Sequence, residues 1–144
     1  MIKTVRDVLR NKGNQVSTIE AETTVFGALE KMAAENIGAL LVMEEGEVVG
    51  IISERDYARK VILRGLSSPM TKVRQVMTQG VCYVRPEQSV EECMALITEK
   101  RCRHLPVFEG TELVGLVSIG DLVKASIAEK EFIIGQLENY IKGG

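Results

Sequence analysis

The sequence predicts an α/β chain of the α+β type: two tandem β-α-β-β-α repeats packed about a pseudo-twofold into one module. Three observations predict it. The stretch Val48–Asp56 (VVGIISERD) returns as Leu113–Asp121 (LVGLVSIGD), with its glycines (Gly50, Gly115), serines (Ser53, Ser118) and aspartates (Asp56, Asp121) each 65 residues apart. Residues 16–60 align with 81–125 without a gap, matching Glu22 with Glu87, Val42 with Val107, Glu44 with Glu109 and Val49 with Val114. Within each repeat the hydrophobic period switches between that of a strand and that of a helix, so the repeated unit is a complete supersecondary structure.

The elements follow in order. Residues 1–15 are an N-terminal lead-in, and Val5–Leu9 (VRDVL) is echoed by Val73–Met77 (VRQVM). Each repeat is therefore expected to include its own lead-in. Repeat 1 spans 16–64. Val16–Ile19 alternates as a short strand, and Thr24 caps a helix running through Asn36 with Val25, Ala28, Leu29, Met32 and Ala33 on one face. Ala39–Met43 is a continuous apolar strand, Glu44–Glu47 a turn and Val48–Ile52 its hairpin partner. A helix follows from Glu54 to about Leu63. Residues 65–80 hold a linker and the second lead-in. Repeat 2, at 81–125, reads the same way: strands Val81–Val84, His104–Phe108 and Leu113–Val117, with helices from Val90 to Lys100 and from Asp121 onward. A C-terminal helix is expected over 126–144. Ile127, Ile134 and Ile141 stand at heptad spacing along it, suited either to packing on its own module or to a dimer contact.

Composition narrows the function. The 144-residue chain of 15.9 kDa carries a net charge of −2, 45% hydrophobic and 26% charged residues, which fits a globular protein. A global basic field for nucleic acid is absent. No apolar run reaches the roughly 18–20 residues that span a bilayer. No secretory signal stands out, so the expected location is cytoplasmic, with no membrane partner. Cys82, Cys93 and Cys102 form no C-x-x-C pair and replace Ser17, Ala28 and Ile37 of the first repeat. They are expected to be small buried thiols rather than a disulfide framework. With His104 the one histidine, neither a histidine-rich metal site nor a nucleophile–base pair is visible, and no enzymatic activity or catalytic cofactor is expected.

The strand–Ser-x-x-Asp–helix turn has two physical readings. Serine hydroxyl and free amides at a helix start attract anions, and an aspartate one turn in accepts hydrogen bonds from vicinal hydroxyls, as on a ribose. The same letters also make a capping box with Asp in place of the usual Glu or Gln.

The stretches Ala39–Val42 (ALLV), Val49–Asp56, Arg103–Val107 (RHLPV) and Leu113–Asp121 together make the chain resemble the CBS-domain family, specifically its small stand-alone CBS pairs, or Bateman modules. The resemblance covers nearly the whole chain. It implies a regulatory module that binds AMP, ADP, ATP, NAD(H) or S-adenosylmethionine in the cleft between its repeats. It implies that Asp56 and Asp121 bind ribose, and that Ser53, Arg55, Arg103, His104 and Ser118 bind phosphate. The base would lie against Thr18, Ile19, Ala39 and Leu40 in one site, and against Tyr83, Val84, Leu105 and Pro106 in the other. A homodimer and an effector protein are the expected partners. The two sites should differ, because Gly38 and Ala39 stand where Arg103 and His104 stand, and Glu54 and Arg55 where Ile119 and Gly120 stand. Two alternatives remain: a nucleic-acid-binding module using Arg55, Arg59, Lys60 and Arg64 after the first turn, or a scaffold that has lost ligand binding.

Overall fold

The computed structural model describes residues 3–141. Its elements are helix α1 (Val5–Lys12), strand β1 (Thr18–Glu20), α2 (Val25–Glu35), β2 (Ala39–Glu44), β3 (Glu47–Ser53), α3 (Glu54–Tyr57), α4 (Val73–Val76), α5 (Val90–Lys100), β4 (His104–Glu109), β5 (Glu112–Ser118) and α6 (Ile119–Ile141). The chain divides into two compact units that are not the two sequence repeats. One comprises the described residues up to Gln15 with those from Cys82 onward; the other is Val16–Val81. Each lead-in thus packs with the other repeat, against the expectation that each repeat keeps its own. Val5, Val8 and Leu9 of α1 join the core of Val84, Val90, Ile97, Leu105, Val107, Val117 and Leu122. Val73 and Val76 of α4 join the core of Val25, Ala28, Met32, Leu40, Val42, Ile52 and Val61.

Helix starts fasten each lead-in. The first amides of a helix lack internal acceptors. In the Val16–Val81 unit they are met reciprocally: Val25 N–H donates to Thr71 O at 2.8 Å and Val73 N–H to Thr23 O at 2.8 Å. In the other unit Val5 N–H donates to Gln88 O and Val90 N–H to Lys3 O, both at 2.9 Å. Thr4 with Asp7 and Ser89 with Glu92 close capping boxes beside that pair. An arginine then fixes the register. Arg6 pairs with Glu87 at 3.0 Å and Glu109 at 2.8 Å, while Arg74 pairs with Glu22 at 2.5 Å and with Glu44. Such exposed pairs add little stability but orient the segment.

The landmark glycines mark where the lead-in crosses the sheet. A Cβ on Gly50 would stand 2.8 Å from Met77 Sδ and 2.9 Å from Thr78 O; one on Gly115 would stand 2.7 Å from Leu9 Cδ2. Thr78 extends the Val16–Val81 sheet by one antiparallel bridge, exchanging bonds of 2.8 and 3.0 Å with Ile51.

The sheets are unequal. In one, β1 pairs parallel to β2 and β2 antiparallel to β3; in the other, β4 and β5 pair alone. The strand expected at Val81–Val84 contracts to a single parallel bridge, Val84 to Val107. The reason is Pro106. Its counterpart Leu41 donates its N–H to Ser17 O at 3.1 Å, and proline has none to give.

Two helices also depart from expectation. The one after Asp56 is α-helical only to Tyr57 and widens to a π turn over Ala58–Ile62, where Leu63 N–H reaches Ala58 O at 3.2 Å. The helix expected at Asp121 begins at Ile119 and runs unbroken into the expected C-terminal helix. The last three residues of that expectation lie outside the described residues. Leu122 and Ser126 are buried, whereas Ile127, Ile134 and Leu137 are 52%, 54% and 56% exposed.

The crossing yields a prediction. Gly50→Ala puts a methyl against the Thr78 backbone, which cannot rotate away, and should destabilise the protein by about 1–3 kcal/mol in urea denaturation. The atoms nearest a methyl in Gly115→Ala belong to the Leu9 side chain, which can shift more readily than backbone, and the substitution should cost less. Equal stability of Gly50→Ala and wild type would show that the crossing is not close.

Candidate functional site

The Ser-x-x-Asp turn between β5 and α6 is built by hairpin register. His104 stands opposite Ser118 in the β4–β5 ladder, and Ile119 N–H donates to Arg103 O at 3.0 Å. Register therefore brings Arg103, His104, Ser118 and Asp121 to one end of one hairpin. Ser118 N–H donates to Asp121 Oδ2 at 2.8 Å, and Asp121 N–H to Ser118 Oγ at 3.2 Å. Lys12, at the end of α1, donates to the same Asp121 Oδ2 at 2.5 Å and to Leu116 O at 2.6 Å. Partial burial pushes the Asp121 carboxyl upward, but the Lys12 ammonium and the Ser118 donors outweigh it and hold the group below its ordinary value. The site is thus a charged carboxylate, an ammonium and a hydroxyl, with Arg103 exposed and His104 half-buried alongside.

The turn between β3 and α3 has the same letters and a different economy of bonds. Ser53 N–H and hydroxyl donate to Asp56 Oδ2 at 3.0 and 3.1 Å, and Asp56 N–H returns to Ser53 Oγ at 3.1 Å. Oδ1 takes the Thr78 hydroxyl at 2.8 Å and the Lys60 ammonium at 3.1 Å. Asp56 is buried, and both of its oxygens serve the fold. Ala39 stands opposite Ser53, and Glu54 N–H donates to Gly38 O at 3.0 Å. The Glu54 carboxylate lies over Gly38, so close that a Cβ there would be 3.0 Å from Oε1. An acid thus occupies the region corresponding to Arg103. Arg55 is exposed on the first turn of α3.

The residues expected to meet a base divide by burial. Leu40, Val84 and Leu105 are fully buried and belong to the two cores, while Ala39 and Pro106 are buried next to them in sequence. Thr18 and Ile19 are half-buried on β1, opposite Leu41 and Val42. Tyr83 is 57% exposed, its ring held edge-on to Phe108 at 5.7 Å. Of the basic side chains after Asp56, Lys60 turns inward to Asp56 and to Val76 O at 3.1 Å, while Arg59 and Arg64 are exposed.

Sequence reasoning missed Lys12 and Thr78, and it named Lys60 as a basic surface residue without its pairing to Asp56. The first two are unreadable while each lead-in is assigned to its own repeat; Lys60 had its signal in the i,i+4 spacing from Asp56. The expectation of buried thiols needs correction. Cys93 alone is buried, and desolvation pushes it up to about 11. Cys82 and Cys102 are half-buried with their sulfurs 2.9 Å apart. Among the described residues no three His, Cys, Asp or Glu side chains gather to hold a metal ion, and no helix is long and apolar enough to cross a membrane.

An α-β-β-α unit used twice, preceded by a strand in one copy and by a single bridge in the other, with a Ser-x-x-Asp turn in each, fits a CBS pair, and comparison with known proteins agrees. The CBS-domain family matches residues 4–63 and 73–128, and the chain belongs to that family. CBS-domain proteins are in general regulatory modules rather than enzymes, and CBS pairs bind adenine nucleotides and can form oligomers. The chain is 40% identical to the mitochondrial CBS domain-containing protein CBSX3 of Arabidopsis thaliana over 150 residues, covering 98% of this chain and 73% of that one. It shares 50% identity and a TM-score of 0.82 with the solved CBS domain structure NE2398, covering 88% of this chain and 99% of that one. The hexameric CBS-CP12 protein from bloom-forming cyanobacteria matches with 28% identity and a TM-score of 0.77, over 85% of this chain and 71% of that one.

The two aspartates should respond differently to mutation. Asp56→Ala strands the Thr78 and Lys60 donors and should cost about 2–4 kcal/mol; Asp121→Asn should cost about 1 kcal/mol. Because the Asp121 pKa is depressed on folding, its contribution is present above the ordinary value of 3.8 and is lost as pH falls below it. Urea titrations at descending pH should show the gap between wild type and Asp121→Asn closing in that window. A gap that stays constant there would remove Lys12 from the account.

Proposed function

We propose that this CBS pair is a non-catalytic sensor of an adenine nucleotide, namely AMP, ATP or NAD(H), with its stronger contacts at the β5–α6 turn. The observation that carries the reading is the register of His104 against Ser118, which puts Arg103, His104, Ser118 and Asp121 at one hairpin end. In this proposal Arg103, His104 and Ser118 receive phosphate, Asp121 receives the ribose hydroxyls, and the base lies by Tyr83 and the β4 segment from Leu105 to Pro106. Lys12 shares Asp121 with the ribose or swings to a phosphate. The β3–α3 turn, with Ser53, Arg55, Asp56, Thr18, Ile19, Ala39 and Leu40, forms the weaker position, because Asp56 is spent internally and Glu54 repels phosphate.

Binding would shift the population of conformations toward the liganded one, and an effector protein or a second copy of the chain would read the shift. The exposed face of α6, with Val123, Ile127 and Ile134, suits a homodimer. A cytoplasmic location is part of the same proposal, although the relative CBSX3 is named as mitochondrial.

A ligand that binds only the folded state raises its melting temperature. At 100 times the dissociation constant the gain is about 2.7 kcal/mol, roughly 5–10 °C for a chain of this size. AMP, ATP or NAD should produce this rise in a thermal-shift titration, and Asp121→Ala should reduce it while the unliganded protein still melts cooperatively. Absence of a shift with every adenine compound at millimolar concentration would sink the proposal.

A further inference from the structure

Cys82 and Cys102 lie at the two ends of the segment that contains α5. Cys82 precedes the Val84 bridge, where Val84 N–H donates to Pro106 O at 2.9 Å and Phe108 N–H to Val84 O at 2.9 Å. Cys102 follows Arg101, which ends α5 in the left-handed region at φ 57°, and precedes β4. Both ends are thus anchored to one hairpin, and both side chains pack against one core while keeping partial access to solvent. Their sulfurs stand 2.9 Å apart, ~0.9 Å beyond a disulfide bond. The equivalent positions of the other unit, Ser17 and Ile37, cannot be joined, so the feature belongs to one unit only.

We propose that Cys82 and Cys102 are a reversible thiol–disulfide modification site, closed by a peroxide. One sulfur attacks the peroxide O–O bond; an S–O bond forms, and the displaced oxygen leaves as water. The second sulfur then attacks the resulting sulfenic acid, the S–O bond breaks, a second water leaves and the S–S bond forms. Two electrons pass from the two sulfurs to one peroxide molecule. A dithiol reductant reverses the step by exchange.

The hydrogen bond shared with Cys102, followed by desolvation, raises the Cys82 thiol to about 11. Cys82 therefore holds little thiolate at neutral pH, and its oxidation is slow. Closure is fast, because the second sulfur is already in place. Cys93 is fully buried and takes no part. The closed form would tie the segment bearing Tyr83 to Arg103 and the start of β4 at His104.

The test uses the full chain, reduced and then treated with hydrogen peroxide under native conditions. Intact mass should fall by two hydrogens per chain. A non-reducing peptide map should link the Cys82 and Cys102 peptides, and Cys93 should be alkylated only after unfolding. Dithiothreitol should restore the starting mass. The oxidised protein should melt roughly 5–10 °C higher, a rise absent from both Cys82→Ser and Cys102→Ser and retained in Cys93→Ser. Failure to recover the linked peptide, with both thiols still alkylated or driven to sulfinic acid, overturns the proposal. Disulfide-linked dimers as the main product overturn it equally.

Discussion

The structure depends on the close crossing of each lead-in over the sheet of the other repeat. A β-hairpin with one face on a helix pair leaves an edge that needs covering. The lead-in supplies the cover, and it can come close only where a strand residue has no side chain. Gly50, beneath Met77 and the Thr78 backbone, and Gly115, beneath the Leu9 side chain, both meet that requirement. Once the crossing is fixed, other features follow from it. The helix starts trade amide bonds, an arginine clamps two glutamates in each unit, and the end of the lead-in arrives beside the Ser-x-x-Asp turn.

That arrival explains how two turns with the same letters diverge. Thr78 reaches Asp56, and Lys12 reaches Asp121, each from a lead-in that ends differently. The threonine offers a short neutral donor tied into the sheet by its backbone, and Lys60 completes a closed set of bonds. The lysine is a long cation that can trade one acceptor for another without disturbing the backbone. Asp56 is consequently a structural acid held under cover. Asp121 is a charged acid whose partner can move.

Much of this was legible in the sequence. The 65-residue register located every hairpin and both turns, because strand alternation and helix capping are local properties. The lead-in exchange was not legible, because a repeat alignment states which segments are alike and not which touch. Traces of it were nevertheless present. Arg6 and Arg74 recur alongside Glu22, Glu44, Glu87 and Glu109, and a glycine recurs in mid-strand where a side chain would otherwise pack. The loss of the first strand in the second repeat was also written there, as a proline at 106 where a parallel neighbour needs an N–H. The thiol pair was hidden for another reason: residues 82 and 102 meet only when the two ends of the segment that contains α5 are anchored to the β4–β5 hairpin.

The Ser-x-x-Asp letters therefore carry less functional meaning than their recurrence suggests. Both copies satisfy the first amides of a helix, and that requirement alone accounts for the pattern. What can distinguish a ligand site from a cap lies in the residues that do not match between repeats. Arg103 and His104 against Gly38 and Ala39 decide whether donors face the serine. Ile119 against Glu54 decides whether an acid stands in the way of an anion. Lys12 against Thr78 decides whether the aspartate's partner is mobile. All three contrasts support the proposed preference for the β5–α6 turn; the first two are coupled, since Glu54 lies over Gly38, and the third comes separately from the lead-in. The repeat supplies a scaffold twice over, and the chemistry resides in its exceptions.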